Sequence, residues 1–111
     1  MHAGDVVEVG FGVPEGSEPG FVRPAVVIAA DLILAAGPRT LHVVPITSNT
    51  SRSLPTEVPV SASGPDRTPV AQCHLCTILR TQRVTPRDAG SIGAGGLAQV
   101  RSVLADILDI P

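Results

Sequence analysis

The chain is poor in several residue types at once. It has no lysine, tryptophan or tyrosine, and only two phenylalanines, Phe11 and Phe21. A general single-strand-binding platform stacks bases on aromatic rings, so two rings argue against one. Charged residues make up 16% of the chain and the formal net charge is −2. There is no bulk basic surface, and any contact with nucleic acid has to be local. Long hydrophobic runs are also missing: the longest, over residues 25–30, is far too short to span a bilayer. The opening Met1-His2-Ala3-Gly4-Asp5 has neither the basic region nor the apolar stretch of a signal peptide. The expectation is a cytoplasmic protein.

All eight basic residues are arginine. A GC-rich coding sequence accounts for that. So does a need for guanidinium groups, which grip phosphate through two parallel hydrogen bonds as an ammonium cannot. Composition does not choose between the two. With 43% hydrophobic residues in 111, the chain is globular and forms one domain over 1–111 with a single core.

Alternation predicts a first strand over 5–11 and a long exposed loop over 12–22, which is rich in Gly, Pro and Glu. Residues 24–30 predict a second strand buried on both faces, with Pro24 as its first residue because proline has no N–H for a ladder. A helical turn is expected over 31–36 and a third strand over 40–46. A short edge strand carrying Pro59 follows over 56–60, and a turn region over 61–68. One further strand is predicted over 70–79, and another near Arg83-Val84-Thr85. Leu97, Val100, Leu104, Ile107 and Leu108 recur at helical spacing. That helix has no side-chain cap in Gly93-Ala94-Gly95-Gly96, so its expected start is Gly95 or Gly96. Five or six short strands and one C-terminal helix make a small, mainly β barrel.

Two segments stand out. Gly16-Ser17-Glu18-Pro19-Gly20-Phe21-Val22-Arg23-Pro24 runs into the apolar Ala25-Val26-Val27-Ile28, and His42-Val43-Val44-Pro45-Ile46 runs into Thr47-Ser48-Asn49. Arg23 precedes one buried strand and Thr47 and Ser48 follow another. If the strands are neighbours, a guanidinium and two hydroxyls meet at one rim, a place to hold and break a phosphodiester without an obvious need for metal.

The Gly4-Asp5 opening, the Gly-Ser-Glu loop, Arg23-Pro24-Ala25-Val26-Val27 and Pro45-Ile46-Thr47-Ser48, in that order, resemble the MazF/PemK family. These are ribonuclease toxins of bacterial toxin–antitoxin pairs, and the resemblance covers nearly the whole chain. It implies an SH3-like barrel of the MazF/PemK/CcdB type with a C-terminal helix. It also implies a sequence-selective endoribonuclease, a homodimer that cuts single-stranded RNA without a cofactor and is silenced by a MazE-like antitoxin.

RNA carries its own nucleophile, the 2′-hydroxyl. Arg23 and Thr47 match the family's catalytic arginine and threonine, with Arg23 on the non-bridging phosphate oxygens and Thr47 in support. The plain alternative for Arg23 is an ion pair with Glu18 or Glu57. Glu18 can take the 2′-proton or orient Arg23. Phe21 can stack one base or pin its loop to the core. Ser48 and Asn49 are good turn residues that can also contact RNA. Arg52, Arg80 and Arg83 are surface arginines available to track the RNA backbone. His42 reaches the site only if its strand face allows.

Cys73-His74-Leu75-Cys76 has the spacing of a redox pair or half a zinc site. On a single strand over 70–79, residues three apart point to opposite faces. No second Cys-x-x-Cys is present, and the expected role is two reduced core thiols. Two departures fall where relatives shape the RNA groove. Glu8 stands where the family often has an aromatic, and Gln72-Cys73-His74 where it often has an Asp-Gln pair. A gyrase poison of the same fold is disfavoured, since the chain lacks tryptophan and ends Leu108-Asp109-Ile110-Pro111. A relative that binds RNA or antitoxin without cutting stays open.

Overall fold

The computed structural model describes residues 1–12, 22–48, 54–60, 69–85 and 90–111. In chain order the elements are β1 (Val6–Gly10), β2 (Val22–Val27), α1 (Asp31–Ala35), β3 (Thr40–Thr47), β4 (Glu57–Pro59), β5 (Val70–Gln72), β6 (Thr77–Arg80), β7 (Val84–Thr85) and α2 (Gly93–Ile107). Cys73–Leu75 and Thr81–Arg83 are 3₁₀ turns. The sheet runs β4-β5-β3-β2-β1-β7, with β6 also paired to β3, and every pairing is antiparallel. This is the mainly β fold with a C-terminal helix that was expected. The loop predicted over 12–22 falls mostly, and the turn over 61–68 wholly, outside the described residues.

Both faces of the sheet are apolar because side chains alternate along each strand. Val6, Val26, Val44 and Ile46 face one side, with Val58, Val60, Ala71 and Cys73. Helix α2 covers that side through the buried Val100, with Val103 and Leu104 packed beside it. Val7, Val9, Ala25, Val27, Leu41 and Val43 face the other side, with Leu79 and Val84, against which Phe11 and Leu34 pack. The double burial expected for the second strand holds for Ala25, Val26 and Val27.

Helix α2 begins at Gly93, earlier than expected, and Ser91 Oγ accepts the Gly93 N–H at 3.0 Å. The sequence pattern suggested no such acceptor, because Ser91 lies outside the glycine run. Gly96 lets Ile92 lie against the first turn: a Cβ at position 96 would stand 3.2 Å from the Ile92 Cβ. The apolar stripe ends early, for Ile107 and Leu108 are exposed.

The strand predicted over 70–79 is two strands. Ile46 pairs with Ala71 and Val43 with Thr77. Three steps along β3 are thus matched by six along the neighbouring segment, and the three extra residues are the 3₁₀ turn Cys73–Leu75. The opposite-face argument for the cysteines therefore fails. Residues three apart eclipse in a 3₁₀ turn, and Cys73 and Cys76 both belong to the core under α2.

Two prolines set where the ladders stop. Ile28 donates its N–H to the His42 carbonyl at 3.1 Å, so even-numbered residues of β2 and β3 carry the bonds between those strands. The next rung would need an amide at Pro24. It has none, and the β2–β3 pairing stops at Ala25↔Pro45. Pro24 is thus the third residue of β2 rather than its first, paired with Glu8 on the β1 side. Pro45 is fully buried and turns its ring nitrogen to the other side of β3. There it falls in the gap between the β6 pairs, which end at Val43, and the β5 pairs, which begin at Ile46.

Candidate active site

Arg23 lies on β2 opposite the fully buried Val9 of β1. The β2–β3 register is Val27↔Val43, Val26↔Val44, Ala25↔Pro45. Carried two residues further, it sets Arg23 level with Thr47, the last residue of β3. Both share the face of Ala25, Val27 and Val43, away from α2. They lie just past the rung that Pro24 cannot make, where pairing between β2 and β3 has ended. Both side chains are half-buried.

Beyond Thr47 the same face continues onto β5 and β4. Thr47 pairs with Val70, and Gln72, two residues along, pairs with Glu57. The Arg23 Nη2 donates to Gln72 Oε1 at 3.3 Å. Glu57 Oε1 accepts the Leu54 N–H at 2.9 Å, and among the described residues Glu57 makes no ion pair with Arg23. Of the two alternative partners expected for Arg23, Glu57 is therefore replaced by a neutral amide, and Glu18 lies outside the described residues. Gln72 was noticed in the sequence only as a departure from the family pattern. The signal that could have found it is its place two residues from Val70, which puts it on the same face as Thr47.

Ser48 follows β3 and is exposed. Glu18, Phe21, Asn49 and Arg52 lie outside the described residues. His42 alternates to the face opposite Thr47, pairs with Ile78 and is exposed, so it does not join Arg23. Arg80 and Arg83 are exposed and line a cavity of about 640 Å³ with Phe11, Thr40 and Thr77. A second cavity of about 650 Å³ lies beside it, lined by Arg39, Arg80 and Gln82. Arg80 and Thr40 border both, and among the described residues no acidic side chain lines either. The β1–β7 register, Glu8↔Thr85 and Val9↔Val84, sets Arg83 level with Gly10, whose other neighbour is Val22. Two strand spacings, about 10 Å, separate Arg83 from the residue before Arg23.

The cysteines are poor nucleophiles here. Burial, with the neighbouring Cys76 thiol, pushes Cys73 from 9.0 up to about 11, and burial also raises Cys76. Both are free. The His74 Nδ1 is hydrogen-bonded to Thr56 Oγ1 at 2.9 Å, which ties the 3₁₀ turn to the approach to β4. Among the described residues, no three His, Cys, Asp or Glu side chains converge.

An all-antiparallel sheet backed by one C-terminal helix places the chain among small, mainly β folds. Residues 2–108 match the family of PemK-like, MazF-like toxins of type II toxin–antitoxin systems, and the chain belongs to that family. It is 33% identical over 116 residues to the endoribonuclease MazF9 of Mycobacterium tuberculosis, covering 99% of this chain and 98% of that one. The crystal structure of MazF from Deinococcus radiodurans is similar with a TM-score of 0.81 at 25% identity, covering 98% of this chain and 96% of that one. An endoribonuclease solved in complex with its cognate antitoxin, from a mycobacterial species, shares the fold with a TM-score of 0.76 at 18% identity. That match covers 100% of this chain and 97% of the other.

Proposed function

We propose that the chain is an endoribonuclease toxin that cleaves single-stranded RNA through Arg23 and Thr47. The observation that carries this reading is their position level with each other where the β2–β3 ladder has ended at Pro24. A family match over nearly the whole chain supports it. The 2′-oxygen of the substrate attacks the adjacent phosphorus, and the bond from phosphorus to the 5′-oxygen breaks. A 2′,3′-cyclic phosphate and a free 5′-hydroxyl result. The 2′-proton passes to a base, for which Glu18 is the candidate, and the leaving 5′-oxygen gains a proton. The Arg23 guanidinium faces the non-bridging oxygens as charge develops on them, a role in which one donor contributes about 10²–10³-fold. Thr47 adds a neutral hydrogen bond. Ser48, Asn49, Arg52 and Phe21 border the same rim in sequence. Arg80 and Arg83 track the backbone of the flanking RNA.

Residues 1–111 act as one toxin domain, paired as a homodimer in the cytoplasm and held inactive by a MazE-like antitoxin. No helix among the described residues is long and apolar enough to cross a membrane. The test is cleavage of a long single-stranded RNA by purified protein in excess EDTA, beside Arg23→Ala, with end-group analysis. Discrete cuts ending in 2′,3′-cyclic phosphate, lost by two or more decades in Arg23→Ala, are expected. Near wild-type cleavage by Arg23→Ala would remove Arg23 from the mechanism. Intact RNA with a folded dimer would mark a relative that binds without cutting.

A further inference from the structure

We propose that Gln72 is a positioning residue for Arg23, an uncharged acceptor that fixes the guanidinium without competing for its charge. The inference rests on the catalytic role proposed above for Arg23.

The sheet places the two side chains on one face from different strands. Arg23 is held by β1 behind it, through Val9↔Arg23. Gln72 is held by β4, through Glu57↔Gln72, and by the 3₁₀ turn that follows it, where Cys73 is buried. By the β3–β5 register Gln72 stands beside Pro45, one diagonal step from Thr47. The 3.3 Å bond from Arg23 Nη2 to Gln72 Oε1 crosses β3 at that point. Arginine has donors only, so the amide must present its oxygen.

The chemistry of the acceptor matters. A carboxylate in this position would orient the guanidinium and also offset its charge, weakening attraction to a phosphate. A neutral amide orients it and leaves the positive charge for the substrate. It occupies one N–H of five. A long arginine chain beside the point where the β2–β3 pairing stops has many rotamers to lose. One fixed acceptor narrows them before substrate arrives.

The test compares wild type with Gln72→Met, which keeps length and volume but removes the acceptor, and Gln72→Glu, which restores an acceptor oxygen. Cleavage is measured on a short single-stranded RNA containing one mapped cut, with Tm recorded for each protein. Gln72→Met should lower kcat roughly 10-fold with KM and Tm little changed, since misplacement of a reacting group costs rate rather than binding. Gln72→Glu should recover most of that kcat and raise KM. The same Gln72→Met change made on Arg23→Lys should cost almost nothing further, because the group being positioned is gone.

Wild-type kcat in Gln72→Met overturns the proposal. So does an equal loss in the Arg23→Lys background, which would mean that Gln72 acts on RNA itself. A kcat loss that follows a fall in Tm and is not recovered by Gln72→Glu would make its role structural. Arg23→Ala keeps the two levels apart: if it cleaves normally the catalytic reading fails, and if it is inactive while Gln72→Met is normal only this inference fails.

Discussion

The two faces of the sheet are built from the same strands and end differently. Under α2 the face is closed: Val6, Val26, Val44 and Ile46 meet Val58, Val60 and the fully buried Val100. On the other face the apolar row of Val7, Val9, Ala25, Val27 and Val43 gives way, at one end, to Arg23, Thr47 and Gln72. One side of each strand therefore serves stability, and the last residues of the other side carry the polar groups proposed for chemistry. A single alternating pattern supplies both, because substituting a residue on one face leaves the other face's side chains in place.

Substitutions on the two faces should separate cleanly. The largest effect is on stability. Val44→Ala removes two methyl groups from the closed face and should cost roughly 2 kcal/mol. The Tm should fall by about 10 °C, with cleavage per folded molecule unchanged well below the transition. A loss of specific activity there would mean that the faces are coupled. Thr47→Ala should show the reverse, about a 10-fold loss in kcat with Tm within ~1 °C, because a neutral donor contributes less than a charged one.

Smaller again is Arg83→Ala, on the cavity beside Phe11 and Thr40. It should raise KM about 3-fold and lower the salt slope of RNA binding by about 1, measured by titration at several ionic strengths. An unchanged slope would take Arg83 off the RNA path. The last effect belongs to Cys73, on the closed face, and is confined to alkaline pH. The unfolded thiol ionises near 9.0, whereas the folded one stays neutral until about 11. Between those values the unfolded state binds fewer protons, so stability falls as pH rises through that window and is untouched below it. Thermal melts at pH 8 and pH 10.5 should show this decline, and Cys73→Ala should show less of it.

The elements that could be read from sequence are those whose neighbours impose a simple period. β1, the buried core of β2, β3 and the body of α2 have alternation or helical spacing written directly in their residues. The break after Gln72 is different. Nothing local marks it, since Gln72-Cys73-His74-Leu75 contains neither glycine nor proline. It arises because β5 and β6 share β3 in registers three residues apart, which is a fact of pairing rather than of propensity. The start of α2 was misplaced for a similar reason, since its acceptor, Ser91, stands upstream of the glycines.

At the site, Arg23 and Thr47 could be named from a shared motif, and the register that aligns them follows from ordinary antiparallel pairing. Gln72 could not be ranked above other polar residues, because its contact crosses from β5 to β2 over an intervening strand. The expectation that Pro24 starts its strand used the right physics on the wrong side. The missing N–H does stop a ladder, but the one to β3, while pairing with β1 runs on through Arg23 to Val22.

That missing donor also governs how other chains can approach. A strand margin with free N–H groups recruits foreign strands, whether from a second copy or from an extended peptide. Beside Arg23 the margin of β2 offers a proline ring instead. A polypeptide inhibitor that lies along β2 here finds no backbone donor at Pro24, and the Arg23 guanidinium beside it is the charged group it can engage.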